Sequence, residues 1–283
     1  MPAEMPPDMP PSTEIQLSAT ASHVFVEHYP GLVYRQFIDG RLFPGGRELH
    51  FDLLKPVSPT PTPLVVFVKG GGFQNVHRSR YLPALVPLAQ RGITIASVEY
   101  RTSNEARFPA PVDDVQHAIR YIRTHAQELN VLTDAIAVWG NSAGGTIAAI
   151  IGAAGVGGEC GVRAAVSWYG VHDPARSERY RDPDSPIRHA FGPGDDGAAP
   201  WPRPSDHVHP GSAPMLLIHG TEDEVVDVEQ SQSLARELVK QGVPHELALV
   251  KGGRHSFAQM CTRTDALART FSFLEQHLTT ARP

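Results

Sequence analysis

The sequence predicts an α/β domain built on a mostly parallel sheet with helices on both faces. Two observations predict it. Short, continuous apolar runs recur along the chain, and segments of helical period lie between them. The length of 283 residues suits one large domain of this kind or two small ones, and is ample for a sizeable core.

HVFVEHY (23–29) and LVYRQFI (32–38) have strand composition, and RELHFDLL (47–54) alternates with period two. KPVSPTPTP (55–63) cannot continue a strand ladder and reads as a loop. LVVFV (64–68) is a continuous apolar run, the signature of a strand buried on both faces. ITIASV (93–98), AIAVW (135–139), RAAVSWY (163–169), PMLLIH (214–219) and HELALV (245–250) repeat that signature. Between them, PAPVDDVQHAIRYIRTHAQEL (109–129) places Val112, Val115, Ala118, Ile119 and Ile122 at helical spacing. VEQSQSLARELVKQG (228–242) is helical and stops at Gly242, and ALARTFSFLEQHL (266–278) closes the chain. No internal repeat interrupts this order. Residues 172–213, rich in Pro, Gly and charge, break it, and a connection of that length is read as a short lid-like insertion or a surface excursion. The expected organisation is a Pro-rich disordered segment (1–20) followed by one α/β domain (21–283) carrying that insertion.

Composition narrows the partners. The formal net charge is −5, from 25 Lys+Arg against 30 Asp+Glu, and no block of like charges appears, which argues against nucleic acid or an anionic membrane. The opening MPAEMPPDMPPSTE lacks the basic start and apolar core of a secretory signal, and no apolar stretch reaches about 18 residues, so a cytoplasmic protein without a membrane span is expected. Cys160 and Cys261 are too few for a disulfide framework and match no metal spacing. They are expected as thiols.

AIAVWGNSAGGTIAAIIGA (135–153) begins as a strand, breaks at Gly140, and resumes as a helix. Gly140-Asn141-Ser142-Ala143-Gly144 is G-x-S-x-G, and Ser142 sits at the carboxyl end of a predicted strand, where open α/β sheets carry their sites. A tight strand-to-helix turn lifts such a serine out of the sheet with its hydroxyl exposed, beside a helix N-terminus that favours negative charge. A serine at that position is also open to a plain N-cap role. A nucleophilic serine needs a base. His255 follows HELALV and Asp223 follows PMLLIH, so both fall at carboxyl ends of predicted strands. His255 would take the Ser142 proton and Asp223 would orient the imidazole, with Asp227 as a rival to Asp223. Directly after the third strand, Gly70, Gly71 and Gly72 offer backbone N–H groups to an oxyanion, with the N–H of Ala143 as the second donor. Phe73 and Gln74 are candidates for the substrate pocket. A phosphate loop is excluded, since neither G-x-G-x-x-G nor G-x-x-x-x-G-K-[ST] is present there.

KGGGF, VEYR, FPAPVDDVQHAIRYIR, GNSAGG, HGTEDEVV and GGRHSF, in this order and spacing, resemble the α/β-hydrolase-fold serine esterases. The similarity is closest to small bacterial carboxylesterases and acetylesterases near the hormone-sensitive-lipase and feruloyl-esterase-like branches, and covers roughly residues 45–280. It implies an eight-stranded, mostly parallel sheet with an antiparallel piece near the N-terminus. It also implies the catalytic set Ser142, Asp223, His255 and an oxyanion site at Gly71, Gly72 and Ala143 beside Phe73. Two positions depart from the family: Lys69 stands where a histidine usually braces the glycine loop, and Arg254 stands where a small residue is common.

Other candidates have plainer readings. Asp113 and Asp114 open a predicted helix, where capping and the helix dipole favour carboxylates. His207, His209 and Asp206 offer no third metal ligand at suitable spacing, so no metal is expected. Trp168 and Tyr169 end a strand near the site and either line it or pack. The reading is a serine hydrolase of carboxylic esters with short acyl chains, acting on small molecules without a cofactor. A small-amide or peptide hydrolase, a lyase, cyclase or transferase on the same scaffold, and a non-catalytic binding protein stay open as alternatives. The sequence does not fix the oligomeric state.

Overall fold

The computed structural model describes residues 24–37, 46–74, 77–157, 160–192 and 203–279. The expected disordered segment 1–20 lies outside the described residues, as does 193–202 of the insertion. Eight strands form one sheet: β1 (Val26–Phe37), β2 (Arg47–Pro56), β3 (Thr62–Val68), β4 (Thr94–Val98), β5 (Val131–Asn141), β6 (Ala164–Trp168), β7 (Met215–Gly220) and β8 (His245–Val250). Their order is β1-β2-β4-β3-β5-β6-β7-β8. β1 pairs antiparallel with β2 and β2 with β4. Every later neighbour pair is parallel, which is the expected sheet with its antiparallel piece at the N-terminal edge.

The α-helices are α1 (Leu82–Ala89), α2 (Ala110–Thr124), α3 (Ala126–Leu129), α4 (Ala143–Ala153), α5 (Pro186–Phe191), α6 (Glu229–Lys240), α7 (Phe257–Arg263) and α8 (Ala266–Thr279). β3 shows how they sandwich the sheet. Leu64, Val66 and Val68 join a core with Val115, Ile119, Ile147 and Leu238 of α2, α4 and α6. Val65 and Phe67 join the opposite core with Leu85, Leu88 and Leu274 of α1 and α8. Alternate residues of a strand point to opposite faces, so an unbroken apolar run is what two covered faces require.

Several elements differ from the sequence reading. The two runs before residue 40 are one strand, β1, with register shifts between Tyr29 and Leu32 and between Val33 and Arg35. An edge strand tolerates the Pro30-Gly31 interruption because one of its sides carries no ladder. The Pro-rich loop is shorter than read, since β3 begins at Thr62 and admits Pro63 at a register shift beside β5. The segment 109–129 is two helices, parted at His125. No helical expectation attaches to α1, whose Pro83 stands in its first turn and Pro87 inside it. Asp114 is not a capping residue. It lies past the first turn of α2, is fully buried, and accepts from the Arg101 N–H (2.9 Å), the Arg101 guanidinium (2.9 and 3.0 Å) and Arg35 (2.6 Å). It ties α2 to β1 and to the turn after β4.

The described part of the insertion is built from short helical pieces. Turns of 3-10 helix at Pro174–Arg176 and Glu178–Arg181 lead to α5, where Ser185 Oγ accepts from the Ile187 N–H and Pro186 takes the first position. Gln230 of α6 anchors its start. Its Oε1 accepts from the N–H groups of His172 (2.9 Å) and Asp173 (2.6 Å), and its Nε2 donates to the Asp173 carbonyl (2.9 Å).

Two stability predictions follow from these ties. Removing the Asp114 carboxylate leaves two guanidiniums without their shared acceptor, so Asp114→Ala is expected to cost about 3 kcal/mol in urea unfolding. A loss near zero would contradict the tie. His172 is buried completely, its Nδ1 donating to the Gln230 carbonyl (3.3 Å) and its Nε2 accepting from the Ser167 hydroxyl (2.9 Å). Burial, and secondarily His219 nearby, pushes its pKa down to about 3, with the Gln230 carbonyl opposing. The unfolded chain takes up a proton below 6.5 that the folded chain refuses. Stability is therefore expected to fall as pH drops from 6.5 toward 3, by at most about 1.4 kcal/mol per pH unit from this group. Urea midpoints above and below that window check the sign, and His172→Gln should flatten the dependence.

Candidate active site

The register of the sheet brings the site together. Val68 of β3 lies opposite Gly140 of β5, Gly140 opposite Ser167 of β6, and Gly220 of β7 opposite Val250 of β8. The segments that leave these strands carry Lys69 to Phe73, Ser142, Tyr169, Asp223 and His255, and they emerge along one edge of the sheet.

Ser142 takes the positive-φ conformation of a sharp strand-to-helix turn (φ 53°, ψ −123°). The glycines around it serve close approach. A Cβ on Gly144 would lie 1.9 Å from the Val68 carbonyl oxygen, and one on Gly140 would lie 2.2 Å from the Gly144 carbonyl oxygen. One on Gly145 would meet Ser167 Oγ and the Trp168 carbonyl oxygen, both at 2.8 Å. The Ser142 side chain makes no capping bond to α4, so the N-cap alternative does not describe it. Its Oγ lies 2.9 Å from His255 Nε2 instead.

His255 Nδ1 lies 2.7 Å from Asp223 Oδ2. A carboxylate only accepts, so Nδ1 carries the ring proton and Nε2 is left to accept from the serine hydroxyl. Asp223 Oδ1 accepts the N–H groups of Val225 (2.9 Å) and Val226 (2.8 Å), and Oδ2 also faces His219 Nε2 at 3.4 Å. Burial pushes the carboxyl pKa up, but the bonds from His219, His255 and Val226 outweigh it and hold it well below the ordinary carboxylate range. His219 is fully buried, with Nε2 2.9 Å from the Val226 carbonyl and Nδ1 2.7 Å from Ser231 Oγ. Asp227, the rival acid, accepts from Ser177 Oγ at 3.1 Å.

A cavity of about 260 Å³ opens at Ser142. Gly72 and Ala143 line it beside the serine, Val171 and Val226 line its apolar side, and Tyr180, Pro186 and Ile187 of the insertion complete the wall. Phe73, expected in the pocket, does not line this cavity. It is buried at φ 61°, with its ring edge-on to Phe191 at 5.1 Å. Gln74 is exposed. Trp168 packs in the core and donates from Nε1 to Thr270 (2.9 Å), whereas Tyr169 lies edge-on to the His255 ring at 4.6 Å. Arg254 is exposed, 3.9 Å from Glu224. His209 accepts from the Gly211 N–H (3.1 Å), and among the described residues no cluster of His, Cys, Asp or Glu could hold a metal. Cys160 and Cys261 are free thiols. Sequence reasoning missed Tyr180, Ile187, Val226 and His219. The insertion and HGTEDEVV motifs contain them, but no spacing rule singles them out.

The BD-FAE family model matches residues 51–238. The chain belongs to the BD-FAE family. It is 27% identical to esterase LipQ of Mycobacterium tuberculosis over 216 residues, which cover 69% of this chain and 51% of LipQ. It thus spans about half the length of that relative. Ethyl acetate hydrolase of Pseudomonas putida is also 27% identical, over 263 residues covering 82% of this chain and 80% of the hydrolase. A truncated carbohydrate esterase from gut microbiota shares the fold, with a TM-score of 0.75 at 21% identity over 92% of this chain and 99% of that one. The fold is that of the α/β hydrolases. No described helix is long and apolar enough to cross a membrane.

The turn at Ser142 generates its own prediction. Glycine tolerates φ 53° where a side chain is strained, so Ser142→Gly is expected to be more stable than Ser142→Ala by about 1 kcal/mol. Guanidinium unfolding of the two variants decides it, and the reverse order would show that the turn stores no strain.

Proposed function

We propose that this BD-FAE family member is a serine hydrolase that cleaves carboxylic esters of short acyl groups through an acyl-enzyme on Ser142. The observation that carries the reading is the continuous contact from Ser142 Oγ to His255 Nε2 (2.9 Å) and from His255 Nδ1 to a buried, ionised Asp223 (2.7 Å). His255 accepts the serine proton as Oγ attacks the ester carbonyl, and Asp223 stabilises the imidazolium that forms. The N–H groups of Ala143, Gly71 and Gly72 receive the oxyanion. His255 returns its proton to the leaving alcohol, then activates the water that releases the acid. The chemistry needs no cofactor.

The apolar cavity at Ser142 supports a short acyl chain, and the esterase relatives support an ester over an amide. In this reading Tyr180, Pro186 and Ile187 form one wall of the substrate pocket. The two free thiols fit a reducing compartment, the cytoplasm, and the proposed partner is a small-molecule ester.

Labelling with a fluorophosphonate, located by mass spectrometry, is expected to fall on Ser142. Turnover of p-nitrophenyl esters from acetate to decanoate should be highest at the short end. Ser142→Ala should lower kcat/KM by about 10⁴- to 10⁶-fold with the fold retained. Undiminished turnover in that variant would overturn the mechanism. Product analysis showing transfer or elimination in place of free acid and alcohol would overturn hydrolysis.

A further inference from the structure

Gly70, the first residue of the glycine loop, is gripped on both sides by side chains. Its N–H donates to Asn141 Oδ1 at 3.1 Å, and its carbonyl accepts from Lys69 Nζ. Asn141 is the middle residue between Gly140 and the nucleophile, and nothing in the triad accounts for it. Its other amide end, Nδ2, donates to the Tyr169 hydroxyl at 3.4 Å, and the Tyr169 ring lies against His255. Asn141, Lys69 and Tyr169 are all buried. The Lys69 ammonium lies 5.7 Å over the Tyr81 ring, and its carbonyl accepts from Tyr100 Oη at 3.0 Å. The fit is close: a Cβ on Gly70 would stand 2.4 Å from the Asn141 carbonyl oxygen and 2.8 Å from Ser142 Cβ.

Peptide planarity gives this grip its consequence. The Gly70 carbonyl and the Gly71 N–H belong to one rigid unit and point in opposite directions. A donor fixed on the carbonyl therefore fixes the direction of the Gly71 N–H, one of the proposed oxyanion donors. Three consecutive residues of the loop, Gly71, Gly72 and Phe73, have positive φ, so few of their own backbone preferences hold the loop in place. We infer that Asn141 and Lys69 are positioning residues that clamp Gly70 from opposite sides, setting the oxyanion loop against the serine turn. This rests on the esterase reading of the site. The clamp places the donors before the substrate arrives, and preorganised donors are what lower the barrier.

The test compares p-nitrophenyl acetate with its thiono analogue. A thiono sulfur is a weak hydrogen-bond acceptor, so it gains little from aligned N–H donors. Asn141→Leu keeps the side-chain size and removes both hydrogen bonds. Lys69→Met keeps the stem and removes the donor, and Lys69→Gln restores an uncharged donor. In each disrupting variant kcat on the oxo ester is expected to fall by about 10- to 100-fold, with KM nearly unchanged, while the thiono ester loses far less. The oxo-to-thiono ratio should shrink accordingly, and Lys69→Gln should recover part of it. Equal losses on both esters, or no loss on either, would overturn the clamp. The two disrupting variants lie on different elements, so if one fails to fold the other carries the same ratio. Turnover of the oxo ester by the parent chain belongs to the esterase reading, whereas the ratio in the variants belongs to the clamp.

Discussion

The close passage of the start of α4 over β3 and β6 is the constraint on which the rest of the site depends. The Val68 carbonyl stands where a Cβ of residue 144 would be, and the Trp168 carbonyl crowds residue 145. Only a residue without a side chain lets the helix start that low over the sheet. The chain must then climb from β5 into α4 within one residue, and Ser142 carries that climb at positive φ. The Ser142 N–H closes on the Trp168 carbonyl at 2.8 Å, and its own carbonyl accepts the Thr146 N–H at 3.0 Å. The turn is thus held from the sheet side and from the helix side, which is how the local strain is offset.

The proposed acid, Asp223, is fixed by a different principle. Asp223 gathers two backbone N–H groups and two imidazoles around one buried carboxylate. Each bond alone contributes modestly, since water would satisfy the same oxygen in the unfolded chain. Together they specify where each oxygen points. One faces the peptide groups of its own loop, and the other faces the histidine that touches Ser142 Oγ. The ring orientation of His255 follows from that assignment and from the Tyr169 edge beside it.

The parallel strands were legible because burial on both faces writes them as continuous apolar runs, and Ser142, Asp223 and His255 were legible as candidates because each follows its own run. Glycines 140, 144 and 145 were legible as a cluster, although their purpose, close approach of backbones, emerges only in three dimensions. What stayed hidden depends on distances between separate segments. Asp114 looks like a helix-start carboxylate until Arg35, 79 positions earlier, is seen beside it. Phe73 adjoins the glycine loop in the chain, yet its ring packs on Phe191 of the insertion. One wall of the cavity comes from 179–187, whose Pro- and charge-rich composition hides Tyr180 and Ile187 from any periodic pattern.

Arg179 gives that insertion a second role. Its guanidinium reaches the carbonyls of Glu224 and Val225, in the same loop whose N–H groups hold Asp223. Ser177 reaches Asp227 at the far end of that loop. The wall beside the cavity and the loop that presents Asp223 are therefore tied to each other. Grafting a different insertion to change which molecules fit would also withdraw the supports of the carboxylate. In an engineering campaign, selectivity and competence would have to be varied together here, with the contacts of positions 177 and 179 carried over whenever the rest of the segment is exchanged.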